Sequence, residues 1–75
     1  MEDALEEQVR AVIAEHAELP ADGAAPLEVE SLVLVQIAED LEARFDFVLR
    51  GRELTPEHFG SVAAIVAFVR TKVAP

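Results

Sequence analysis

The apolar positions of this chain fall into three helical stripes separated by turn signals. Over residues 3 to 18, Leu5, Val9 and Val12 share one stripe with Ile13 at its flank, while Glu6, Glu7, Arg10 and Glu18 lie away from it. A recurrence near 3.6 residues predicts an amphipathic helix. Asp3 is placed to cap its start, with Glu6 completing a capping box. Over 31 to 46, Leu34, Ile37, Ala38, Leu41 and Phe45 share a face, and Glu39, Asp40, Glu42, Arg44 and Asp46 lie off it. Over 62 to 73, Val62, Ile65, Val66, Val69 and Val73 form the stripe, with Phe68 near its edge and Ala63, Ala64 and Ala67 on the other side. Thr55-Pro56-Glu57 is a helix start, with a capping threonine, proline at the first helical position and an acid in the first turn. It predicts a short helix over 56 to 59 that Gly60 ends. Ser61 then caps the last helix, and Arg70 and Lys72 complement the negative end of its dipole.

Between these stripes, Leu19 to Pro26 reads as a linker, with Pro20, Gly23 and Pro26 among small residues. Leu27 and Val29 pin its far end to the core. Phe47, Val48 and Leu49 form an apolar anchor after the second long helix, and Arg50-Gly51-Arg52 turns the chain. No segment alternates as a strand does. The expected fold is all-α: a small four-helix bundle, three long helices plus one short, forming a single domain over 1–75.

One feature does not fit a core-facing stripe. Leu32 falls almost opposite the buried face of the second long helix, and Val33 and Val35 sit at its two shoulders. Apolar surface concentrated at a helix start is covered by a loop or by a partner. The residue before this start, Ser31, is placed as the helix N-cap.

Charge narrows the partners. The chain carries 15 acidic and 6 basic residues, a net charge of −9. Phosphate neutralisation needs clustered Lys and Arg, so nucleic acid is excluded, as is an anionic membrane surface. Partner proteins with basic docking patches fit instead. The acidic start Met1-Glu2-Asp3 is no secretory signal, and the longest apolar run, Val62 to Val69, is too short to span a bilayer. A free-standing, cytoplasmic monomer is expected.

Candidate chemistry is sparse. Without cysteine there is no disulfide, thiolate metal site or thiol nucleophile. Ser31, Ser61, His16 and His58 show no spacing that implies a serine–histidine pair; His16 reads as a rim residue of a small core and His58 as surface or rim. Carboxylates such as Glu39 and Glu42 lack the Glu-x-x-His pattern of a di-iron bundle. No glycine-rich phosphate loop occurs. The residues therefore point away from an enzyme and from a metal site.

At Glu30-Ser31-Leu32 the chain resembles the acyl carrier proteins, small acidic four-helix bundles whose second helix begins at an Asp-Ser-Leu motif. The resemblance covers nearly the whole chain. It runs from Leu5 to Ile13 in the first helix, through Leu27 before the motif, and through Ile37, Leu41 and Phe45 after it. Phe47, Leu49 and Phe59-Gly60-Ser61-Val62 extend it to the last helix. It implies that a phosphopantetheinyl transferase attaches 4′-phosphopantetheine to Ser31. The arm's thiol then carries acyl groups as thioesters between loading and processing enzymes. It further implies partner docking on Glu30, Leu32, Val33, Val35, Gln36, Glu39, Asp40 and Glu42, with Glu28 adding to the acidic field. A chain sheltered between the second and last helices would meet Leu34, Ile37, Ile65 and Phe68, which also serve as plain core. The chain departs from the family pattern at Glu30 for the motif aspartate, Glu28 for a usual glycine, Val33 and Gln36 for acids, and in a shorter first loop. These departures suggest a specialised pathway, such as polyketide or other secondary-metabolite synthesis, whose enzymes dock partly on apolar surface. A carrier for aminoacyl groups or fatty-acid synthesis is the nearest alternative. An unmodified, carrier-like adaptor is the alternative from another class.

Overall fold

A computed structural model describes residues 4–73. The elements are α1 (Ala4–His16), α2 (Ser31–Phe45), a 3₁₀ turn (Gly51–Glu53), α3 (Pro56–Phe59) and α4 (Val62–Val73). The described residues form an all-helical bundle with no strand. Asp3, the expected cap of α1, lies outside them. α1 packs against both α2 and α4, and α3 packs against α4.

The three stripes converge on one core. Val9, Val12 and Ile13 of α1 meet Ile37, Ala38 and Leu41 of α2, and Val62, Ile65, Val66, Phe68 and Val69 of α4, with Leu27 and Phe59 closing the ends. Ile13, expected at the flank, is fully buried, and Phe68, expected at an edge, is buried among Phe47, His58 and Phe59. His58 packs at a tilt on Phe68 with ring centroids 4.7 Å apart and ring planes 38° apart, which makes it a rim residue with a packing role. Val73, assigned to the same stripe, is 37% exposed at the last residue of α4, past the buried Val69.

The helix ends differ from the pattern in instructive ways. α1 stops at His16, two residues before the expected Glu18. Leu19 must turn inward to pack on the core, and Pro20 disfavours helix at the residue before it. α2 stops at Phe45, with Asp46 in the left-handed region (φ 55°, ψ 58°) and its N–H bonded to the Glu42 carbonyl. Aspartate tolerates that conformation better than most residues. Beyond it, Phe47 and Leu49 pack against the core. Val48, expected to join them as an anchor, is 76% exposed, because neighbours in non-helical backbone point to opposite sides. Thr55 does precede α3 and Pro56 does open it, yet the threonine hydroxyl makes no capping bond and is buried without a partner.

The linker is tied down by backbone bonds. Leu27 N–H donates to the Gly60 carbonyl at 2.8 Å, and Ala63 N–H donates to the Gly23 carbonyl at 2.9 Å. Pro26 and Ser61 form an isolated antiparallel bridge. Ser61 also caps α4, accepting the Ala64 N–H at 3.1 Å on its hydroxyl. The linker thus docks on the α3–α4 junction, which fixes where Leu27 enters the core and where α2 begins four residues later.

The 3₁₀ turn is clamped to α4. Lys72 Nζ lies 2.7 Å from Glu53 Oε2, and the Arg50 N–H donates to Glu53 Oε1 at 2.9 Å. The Lys72 bond first, and the Arg50 N–H second, hold the Glu53 carboxyl below its ordinary value of 4.5. The unfolded chain therefore takes up this proton more readily than the folded one. The contribution is complete above 4.5 and disappears as pH falls through the lowered folded value. Lys72→Met should flatten the dependence of the urea midpoint on pH between about pH 6 and about pH 3. An unchanged slope would show that the clamp does not act through this carboxyl.

No helix among the described residues is long and apolar enough to cross a membrane.

Candidate modification and docking site

Ser31 stands where the linker becomes α2. It is the first helical residue, one position further in than the cap expected from sequence. Glu30 takes the cap position in extended backbone (φ −69°, ψ 155°) and makes no side-chain capping bond. The Glu30 carbonyl accepts the Leu34 N–H at 3.0 Å, so the helical ladder starts there. The reason Ser31 does not cap is local. Val29 packs partly buried against the core, so extended backbone continues through Glu30 and passes the cap position to it.

Two serines open two helices, and they are used differently. Ser61 is half-buried and its hydroxyl is committed to the Ala64 N–H. Ser31 is exposed, and its hydroxyl bonds no described residue. The N–H groups of Ser31, Leu32 and Val33 have no intrahelical acceptor at the start of a 15-residue helix, and the positive end of its dipole lies there. An anionic group on the Ser31 oxygen would sit beside those N–H groups.

The surrounding surface divides the expected docking residues. Glu30, Leu32, Val35, Gln36 and Glu39 are exposed, with Leu32 at 66% and Val35 at 37%. Val33 packs partly buried against the core and offers less surface than its helical position suggested. Asp40 and Glu42 are engaged inside the fold. Asp40 Oδ2 lies 3.2 Å from His16 Nε2, joining α2 to α1, and Asp40 Oδ1 lies 3.8 Å from Arg44 Nε. Arg44 also bonds Glu15 at 2.9 Å. Glu42 Oε2 accepts the Leu49 N–H at 2.6 Å and holds the segment after α2. The helical pattern places these carboxylates off the apolar face, and only the neighbouring elements supply their partners. Glu28 remains exposed beside the site.

Of the residues expected to line a sheltered chain between α2 and α4, Ile37 and Ile65 are 0% exposed, Phe68 is 6% exposed and Leu34 packs partly buried against the core. No group of three or more metal-ligating side chains occurs among the described residues. Comparison with protein families, curated proteins and solved structures returns no significant match.

Proposed function

We propose that this chain is an acyl carrier protein modified at Ser31. The observation that carries the proposal is the unequal use of the two helix-starting serines. Ser61 spends its hydroxyl on a cap, whereas Ser31 presents an exposed hydroxyl, bonded to no described residue, at the N-terminus of a long helix. The fold class, the net charge of −9 and the Glu30-Ser31-Leu32 motif support the same reading. The group fits the residues present. Ser31 would hold the phosphodiester, and the free N–H groups of the first turn would face its charge. Once attached, the arm supplies a thiol that carries acyl groups as thioesters.

In this reading the chain performs no chemistry of its own. The Ser31 oxygen attacks the pantetheine-bearing phosphorus of coenzyme A, a base of the transferase takes its proton, and the pyrophosphate bond breaks with adenosine bisphosphate as the leaving group. The backbone from Glu28 to Glu30 keeps the hydroxyl clear of the bundle. Leu32 and Val35 give partner enzymes an apolar contact, and Glu28, Glu30 and Glu39 attract their basic residues over a range set by ionic strength. Acyl-loading and acyl-processing enzymes of a specialised pathway are the partners this mixed surface suits.

Intact mass after incubation with coenzyme A and a broad-specificity phosphopantetheinyl transferase tests the proposal. The wild type and Ser61→Ala should each gain one phosphopantetheine, and Ser31→Ala should gain none. A competent transferase that leaves the wild type unmodified would favour the adaptor reading instead. Docking makes a separate expectation. Leu32→Asp and Val35→Asp should lower transfer efficiency by about tenfold, the scale of losing a buried apolar contact of 1–2 kcal/mol. Circular dichroism melts should stay close to wild type, and unchanged transfer kinetics would remove the apolar patch from the docking surface.

A further inference from the structure

A cleft of about 450 Å³ opens between the end of α1 and the segment that leads into α2. Leu19, Leu27, Pro20 and Pro26 form its apolar walls, and Glu18 and Glu28 stand in its lining. The floor is firm: Leu27 is 8% exposed, and Leu19 packs against the core. Both carboxylates are exposed, and neither bonds another described residue. α1 ends at His16, with the Ala17 N–H on the Ile13 carbonyl at 2.9 Å, so its last carbonyls and negative dipole end adjoin the cleft. The neighbouring basic side chains are directed elsewhere. Arg10 reaches towards Gly23, His16 towards Asp40, and neither lines the cleft.

We propose that this cleft receives an arginine side chain from a partner protein acting at Ser31. The charge is complementary, since every titratable group in the lining is a carboxylate. The shape also suits arginine. Its three-carbon stem matches the leucine and proline walls, and its planar guanidinium bonds a carboxylate through two N–H groups at once. Two protein carboxylates fall short of the six to eight oxygen ligands usual for calcium, so a metal ion is the poorer occupant. Glu28 precedes Ser31 by three residues, a span of about 10 Å when extended. An arginine seated here would therefore fix the partner's register against the Ser31 hydroxyl. The identity of the partner rests on the carrier reading; the arginine site itself does not.

Amide chemical shifts during titration with N-acetyl-arginine amide test the site, with the citrulline counterpart as a neutral probe of the same shape. Arginine should produce saturable shifts centred on Leu19, Leu27 and Glu28, and citrulline should not. Glu18→Gln with Glu28→Gln should weaken binding about fivefold, as expected for partly solvated ion pairs, and added salt should do the same. Both positions are exposed and bond no described residue, and a thermal melt of the double variant verifies its fold. Shifts spread over all acidic residues, equal shifts with citrulline, or undiminished binding in the double variant would overturn the proposal. A chain that binds arginine here but takes no phosphopantetheine would lose the carrier reading and keep the cleft. The opposite pattern would do the reverse.

Discussion

Leu41→Ala should remove most of the stability of this protein, while Leu32→Ala on the same helix should remove almost none. Leu41 is 0% exposed at the contact of α2 with the rest of the core, whereas Leu32 is 66% exposed. Deleting a buried leucine side chain costs the transfer energy of the lost carbons and leaves a cavity, together about 2–5 kcal/mol. A single core in a chain this short holds only about 3–5 kcal/mol of net stability. The melting temperature of Leu41→Ala should therefore fall by roughly 10–25 °C, with a substantial unfolded fraction at room temperature. Leu32→Ala should stay within about 0.5 kcal/mol of wild type in urea. Equal effects would mean that Leu32 is covered in solution, and its role as docking surface would fail.

Gly60→Ala should destabilise the bundle by about 1–3 kcal/mol and loosen the approach to Ser31 at the same time. An added Cβ at Gly60 would collide with the Pro56 carbonyl oxygen. Dihedral freedom is not the reason for glycine here, because its φ of −77° is open to any residue. The clash cannot be relieved by a small backbone shift without loss elsewhere, since the Gly60 carbonyl accepts the Leu27 N–H and the next residue bridges Pro26. Hydrogen exchange at the Leu27 amide reads this directly. Its protection should drop by more than the global loss of stability accounts for. Protection that falls only in step with global stability would show that the linker does not depend on this junction.

Both expectations concern how α2 is held in the bundle, which the sequence shows only in part. The helical period exposed α1, α2 and α4, because a stripe on one face survives any change of partner. It also marked Leu32 as facing outward, which the fold bears out. Residues at element ends were misjudged, Val73 by the period and Val48 by its apolar type. Val73 and Val48 are apolar by type, and their exposure depends on where a neighbouring helix stops and on which side of a non-helical segment faces the core. The carboxylates of α2 look alike in sequence. Asp40 and Glu42 are nevertheless drawn inward by His16 and by the Leu49 N–H, leaving Glu30 and Glu39 outside.

The sequence by itself determined the class of this protein: an acidic, cysteine-free helical chain whose apolar stripes close on one core, with an acidic approach to a serine before an apolar helix start. Those properties follow from composition and short-range periodicity, which need no knowledge of what packs on what. Tertiary structure alone decided which serine is a cap and which hydroxyl is left free. Local propensity favours both serines as caps equally. The choice was made by Val29 packing inward, which extends the backbone through Glu30, and by the linker docking on Ser61 from across the bundle. Only the folded chain brings Glu18 and Glu28 into one cleft, because they are ten residues apart and meet through the turn of the linker back past the end of α1.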